Sequence, residues 1–139
     1  MSWKLLLICA STMLAVGCAS MTPGFNDQVS IWLEITRIST PQTAKSNQPI
    51  VIKIDYLGSE ARPDVYIGEA KSQGNNQVIS IEIIHKSTKQ LPYTNFREPS
   101  TATASFTPTD AGTYIFEGIR REGLTNVNLA SSSVVVTTD

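Results

Sequence analysis

His85 is the only histidine in the 139-residue chain, and Cys9 and Cys18 are its only cysteines. These three residues bound the chemistry available. A zinc site draws its ligands from Cys, His and carboxylates, four at a time in structural sites. One histidine is too few unless carboxylates converge on it from elsewhere. His85 also shares strand parity with Ile79, Ile81 and Ile83. That places it at the end of a core-facing row, where a packed histidine is the simpler reading. The twelve carboxylates are scattered along the chain. They form no Asp-x-Asp-x-Asp calcium loop. No glycine-rich phosphate loop is present, and no Gly-x-Ser-x-Gly nucleophile elbow. The residues predict no catalytic centre, no metal site and no cofactor. A small hydrolase or metal-binding protein on a β scaffold remains the alternative.

Cys18 offers a different chemistry because of what precedes it. Lys4 gives a cationic start, an apolar run follows from Leu5 to Val16, and Gly17 is small. This is the pattern of a secretory signal. The run is well short of the ~20 apolar residues that span a bilayer as a helix. The segment Leu14-Ala15-Val16-Gly17-Cys18 resembles the lipobox of bacterial lipoproteins, with Ala15 where that family prefers Leu, Val or Ile. The resemblance implies that Cys18 becomes the first mature residue and carries diacylglycerol on its thiol. The other reading is an ordinary signal peptide cut near the same place. Cys9 leaves with the leader in either case, so one cysteine remains and no internal disulfide can form.

Three segments follow from this: a leader at 1–17, the lipidated Cys18 with a tether at 18–27, and one domain at 28–139. Residues 19–27 are short, polar and contain Pro23 and Gly24. Fully extended they reach at most ~30 Å, so the domain sits close to its membrane. In Gram-negative lipoproteins an Asp after the Cys usually retains the protein at the inner membrane. Ala19 stands there, so the resemblance implies the outer membrane of a bacterial envelope. Eleven basic residues against twelve acidic ones give a formal net charge of −1. A nucleic-acid partner would need a basic face, and none is written here.

Elements that could position a site are all strands. Val29, Ile31, Leu33 and Ile35 alternate with polar residues or Trp32, and Ile50, Ile52, Ile54 and Tyr56 alternate again. This period of two predicts half-buried strands at 29–35 and 50–56. Further strands are expected at 65–70, 78–86, 101–106, 113–120 and 127–137, the last interrupted at 131–133. No helical period appears after residue 18. Seven short strands separated by turn residues predict an all-β, antiparallel sandwich or barrel.

One motif sharpens this expectation. Residues 106–116 read Phe-Thr-Pro-Thr-Asp-Ala-Gly-Thr-Tyr-Ile-Phe. Asp110, Gly112 and Tyr114 resemble the Asp-x-Gly-x-Tyr corner of immunoglobulin-like domains. The resemblance implies a seven-stranded immunoglobulin-like sandwich whose Tyr114 hydroxyl bonds back to the main chain. It is a bacterial immunoglobulin- or fibronectin-like domain rather than an antibody-type one, because Phe116 stands where the inter-sheet cysteine would be. The corner is also similar to that of cupredoxins. Blue copper takes two His and a Cys thiolate, and one histidine cannot supply them.

Binding is the expected work of such a scaffold. With Tyr114 and Phe116 inward, Ile115, Glu117 and Ile119 face outward, and Trp32 lies opposite its own apolar row. Outward isoleucines on a sandwich suggest a surface for a partner. Arg120 and Arg121, at the hairpin before Gly123, are a second candidate contact, although a solvated turn is the plainer account. The expectation is a non-catalytic binding or assembly module held to the membrane by lipid, either an accessory subunit that docks another envelope protein or a surface adhesion domain.

Overall fold

The computed structural model describes residues 29–58, 63–87 and 97–139. The leader, Cys18, Ala19 and the tether lie outside the described residues. The described chain is all β. Its strands are β1 (Val29–Trp32), β2 (Ile35–Ser39), β3 (Thr43–Lys45), β4 (Ile50–Leu57) and β5 (Asp64–Ile67), then β6 (Lys71–Gln73), β7 (Asn76–Ser87), β8 (Pro99–Phe106), β9 (Gly112–Glu122) and β10 (Thr125–Thr137). Two sheets contain them. Sheet A runs β1-β7-β9-β10-β3, with β5 and β6 on β7 as well; sheet B runs β2-β4-β8.

The core between the sheets follows from the alternation. On β4, Ile50, Ile52 and Ile54 are buried while Val51 and Lys53 are exposed. On β7, Ile79, Ile81 and Ile83 are fully buried. Phe116, Val134 and Ile35 join them. Burying each such side chain stabilises the fold by roughly 1.5–3 kcal/mol. Phe106 packs on Tyr114 and on Phe116 with ring centroids 5.8 and 5.7 Å apart.

Sheet A is mixed, not antiparallel, and the described strands number ten rather than seven. Four features account for the difference. The expected strand at 29–35 breaks at Leu33–Glu34. Its first half joins β7 in sheet A and its second half joins β4 in sheet B. The Leu33 amide still donates to Ile83 O at 2.9 Å, and Leu57 donates to Glu34 O at 3.0 Å, so the crossing is paired on both sides. Both sheets face one core, which is why alternation ran through the break undisturbed. The expected strand at 65–70 ends at Ile67, and after a break at 68–70 the chain continues along β7 in the same direction as β6. The brief β3 carries no apolar row and pairs parallel with β10. Finally, β7 pairs parallel with β9, Asn76 opposite Thr113 and Ile81 opposite Gly118. Between them the chain crosses to sheet B as β8 and returns, the kind of connection a parallel pair requires.

The last strand is continuous through Ser131–Ser133, and its irregularity lies earlier, between Asn128 and Ala130. An extra residue there reverses the facing of everything before it. Asn126 and Asn128 consequently pair with the outward Arg121 and Ile119, while Val134 and Val136 are buried.

The corner between β8 and β9 is closed by hydrogen bonds. Tyr114 is 3 % exposed, and its hydroxyl donates to Asp110 O, four residues upstream, at 3.0 Å. Pro108 is buried, and its carbonyl accepts from the Asn47 amide at 2.7 Å. Gly112 has φ of 148°, a conformation essentially closed to residues with a Cβ. Replacing Tyr114 with Phe removes the donor and leaves the Asp110 carbonyl unpaired. Urea melts should show Tyr114→Phe less stable by about 1–3 kcal/mol. Coincident melts would show that the bond contributes nothing.

Candidate functional site

The outer face of sheet A carries a group of polar side chains around one cleft. Register decides its membership. Val78 lies opposite Ile115 and Ser80 opposite Glu117 across the parallel pair. Ile119 lies opposite Asn128 and Arg121 opposite Asn126 across the hairpin. Together with the three-residue β6 these strands frame a cleft of 490 Å³. Its floor is Ile119. Lys71, Gln73, Ser80, Glu117 and Asn128 stand around it.

Ile119 therefore faces outward, as its parity demands, yet it is only 8 % exposed. The polar rim covers it. Ile115, four residues earlier, is half-buried, as is Glu117. The third wall depends on Gly68, whose amide donates to Ser80 O at 2.8 Å. A Cβ on Gly68 would fall 2.5 Å from Ser80 Oγ. Glycine thus allows the link between β5 and β6 to press onto β7.

Glu82 secures the other side of this face. One carboxylate oxygen, Oε1, accepts from Trp32 Nε1 at 3.2 Å and from Arg121 Nε at 2.8 Å. The Glu82 side chain is 13 % exposed and that of Arg121 is 56 % exposed. The carboxylate ties β1, β7 and β9 together through side chains, and charge-assisted bonds of this kind exceed neutral ones in strength.

The two hairpin arginines are held on opposite faces of β9. Arg121 pairs with Glu82 outside sheet A. Arg120 pairs with Glu122 and lines a separate cleft of 590 Å³ with Trp32, Leu33, Glu34, Leu57 and Arg97. His85 is half-buried in register with Ile31, on the face of Ile79, Ile81 and Ile83. Asp110, Gly112 and Tyr114 sit at the opposite end of the strands, away from this face's hairpin. No group of three or more His, Cys, Asp or Glu among the described residues could hold a metal ion. Beside β7, Lys86 Nζ lies 5.4 Å from the centre of the Tyr66 ring. A hydrogen bond with Tyr66, aided by its charge and that of Asp64, raises Lys86 above the ordinary lysine value.

Sequence reasoning found Ile115, Glu117, Ile119 and Trp32 by alternation. It passed over Glu82, Lys71, Asn126 and Asn128. The two asparagines could not be placed without the bulge, and Glu82 acquires its role only from strands 39 and 50 residues away. Chemically, the cleft offers amides, hydroxyls, one ammonium, one guanidinium and two carboxylates around an apolar floor. That set has the donors and acceptors to hydrogen-bond a polar segment.

Comparison with protein-family models, with curated proteins and with solved structures finds no match for this chain.

Replacing Glu82 with Gln keeps the shape and removes the charge. We expect Glu82→Gln to lower stability by about 1 kcal/mol at low salt, since Arg121 is more than half exposed and partly screened. The deficit should shrink as salt rises. A salt-independent difference, or none, would show that the charge holds neither donor.

Proposed function

We propose that this chain is a bacterial envelope lipoprotein whose β-sandwich serves as a non-catalytic binding or assembly module. The observation that carries the reading is the cleft on the outer face of sheet A. It has an apolar floor at Ile119, a hydrogen-bonding rim, and at one edge an Arg121 held by Glu82. Outer faces of sandwich sheets are ordinarily solvated, and a shaped recess with convergent polar groups is what a binding site requires. The partner is another envelope protein, docking a polar segment into this recess. The domain is related to immunoglobulin-like sandwiches through its tyrosine corner, with a strand order of its own in sheet A.

The lipobox-like segment ending at Cys18 supports a lipid anchor, and Ala19 supports the outer membrane as its location. Lipid contributes about 0.8 kcal/mol per buried methylene, far more than a polar tether can. Cys18→Ser should therefore move the protein from the membrane pellet to the soluble fraction, still folded by circular dichroism. A mutant that stays in the pellet contradicts the lipid reading.

The binding reading has its own test. Asn128→Arg places a bulky cation over the cleft from an exposed position. Val51→Arg places the same side chain on the outer face of sheet B, where Val51 is 63 % exposed. Surface changes of this kind usually alter stability by no more than about 0.5 kcal/mol. In-cell crosslinking followed by mass spectrometry should recover a defined envelope protein with the unmodified chain and with Val51→Arg. Asn128→Arg should lose it. Equal recovery from both variants would remove the cleft as the docking site.

A further inference from the structure

The strand registers determine which parts of the chain share an end of the domain. The described chain enters at Val29, opposite Ser87, the last residue of β7. Because β9 runs parallel to β7, its end at Glu122 lies towards that same end. The β9–β10 turn, Gly123 and Leu124, is therefore a neighbour of the entry point. At the opposite end lie the Gly74–Asn75 turn, the tyrosine corner and the close of β10. Had β9 been antiparallel to β7, the hairpin would stand at the far end instead.

Leu124 is the most exposed large apolar residue described, at 106 %, against 63 % for Val51 and 48 % for Val135. Gly123 supplies the positive φ, 61°, that a two-residue hairpin turn needs. The turn asks nothing apolar of the next position, where Gly, Asn, Asp and Ser are usual. A leucine there has no folding role. Isolated exposed leucines are common; what distinguishes this one is its place at the tip of the longest hairpin, beside the chain entry. The flanking charges cancel, since Glu122 pairs with Arg120. The tip can thus approach anionic headgroups without repulsion. Arg97 and Arg120 line the cleft at this end together with Leu33, Leu57 and Glu34, a mixture of charged and apolar groups suited to the headgroup layer.

We propose that Leu124 is a second membrane contact: this end of the domain faces the bilayer, and the leucine enters its interfacial layer. The inference rests on lipid attachment at Cys18. Residues 19–28 separate Cys18 from Val29 and extend to at most ~36 Å. The thirteen-residue β10 spans ~43 Å. A tether shorter than the domain keeps the entry end nearest the membrane. Lipid alone holds that end near the membrane but fixes no tilt of the domain. Insertion of Leu124 sets the strands along the membrane normal and turns the sheet A cleft sideways, towards a neighbour in the same membrane.

The test uses the full chain, processed in a bacterial host, purified and reconstituted into vesicles of phosphatidylethanolamine and phosphatidylglycerol. Leu124→Cys carries an environment-sensitive dye; in the lipidated chain Cys18 is blocked and Cys9 is gone, so 124 is the one reactive thiol. Asn75→Cys places the dye at the opposite end. Flotation reads lipid attachment, and quenching by brominated lipid reads insertion. The expected result is that both labelled proteins float, with the dye at 124 blue-shifted and quenched and the dye at 75 neither. A protein that floats with an unquenched dye at 124 overturns the inference and leaves the lipid reading intact. A protein that does not float, with Cys18 open to the dye, overturns both. Equal quenching at 124 and 75 shows a domain lying flat and also overturns it.

Discussion

Two rows of isoleucine hold this domain together. Ile50, Ile52 and Ile54 on β4 face Ile79, Ile81 and Ile83 on β7, and all six are essentially inaccessible to solvent. Each β-branched side chain suits a pleated strand and loses little rotamer freedom on burial there. The two rows belong to different sheets and share one buried core. The outer cleft of sheet A is built against the reverse of one row. Val78, Ser80 and Glu82 face outward because Ile79, Ile81 and Ile83 cannot. A slip of one residue in β7 would bury Glu82 and expose the isoleucines, which fixes the register strongly.

The same rows explain how much could be read beforehand. Alternation is a local property, so the existence of the strands around residues 50–57, 76–87, 99–106, 112–122 and 125–137 was legible. Pairing is not local. Alternation at Ile31, Leu33 and Ile35 is unbroken although the chain changes sheets between them, because both sheets present their inner faces to one core. Strand direction left no mark either, and the parallel alignment of β7 with β9 emerged only from the route through β8. The site was legible in the same partial way. Ile115, Glu117 and Ile119 followed from Tyr114 by parity. Their partners did not, because a bulge at Leu129 exchanges the two faces of β10 and no composition signal marks it.

That bulge does two things at once. Downstream of it, Val134 and Val136 complete the core, and Thr137 lies beside Lys45 at the short parallel pairing with β3. Upstream, Asn126 and Asn128 turn out beside Arg121 and Ile119. A regular strand would have placed either the valines outside or the asparagines inside. Bulges also increase local twist, which suits a long hairpin that must curl with its sheet. The polar rim of the cleft and the hydrophobic closure of the core are thus alternate outcomes of one inserted residue.

Gly118 connects the two faces most directly. It points inward between Phe116 and Arg120, where a Cβ would come within 2.9 Å of Ile35 Cγ2 and 3.1 Å of Ile38 Cδ1. Both isoleucines are buried on β2, the strand that has just crossed from sheet A, and neither can move aside without opening the core. The glycine thus lets sheet B approach sheet A at this point. Its neighbours on β9 are Glu117 and Ile119, rim and floor of the outer cleft. Any side chain at 118 would push β9 outward and raise that floor. The shape of the outer recess is consequently set from inside, by the distance at which β2 meets a strand with no side chain to keep it off.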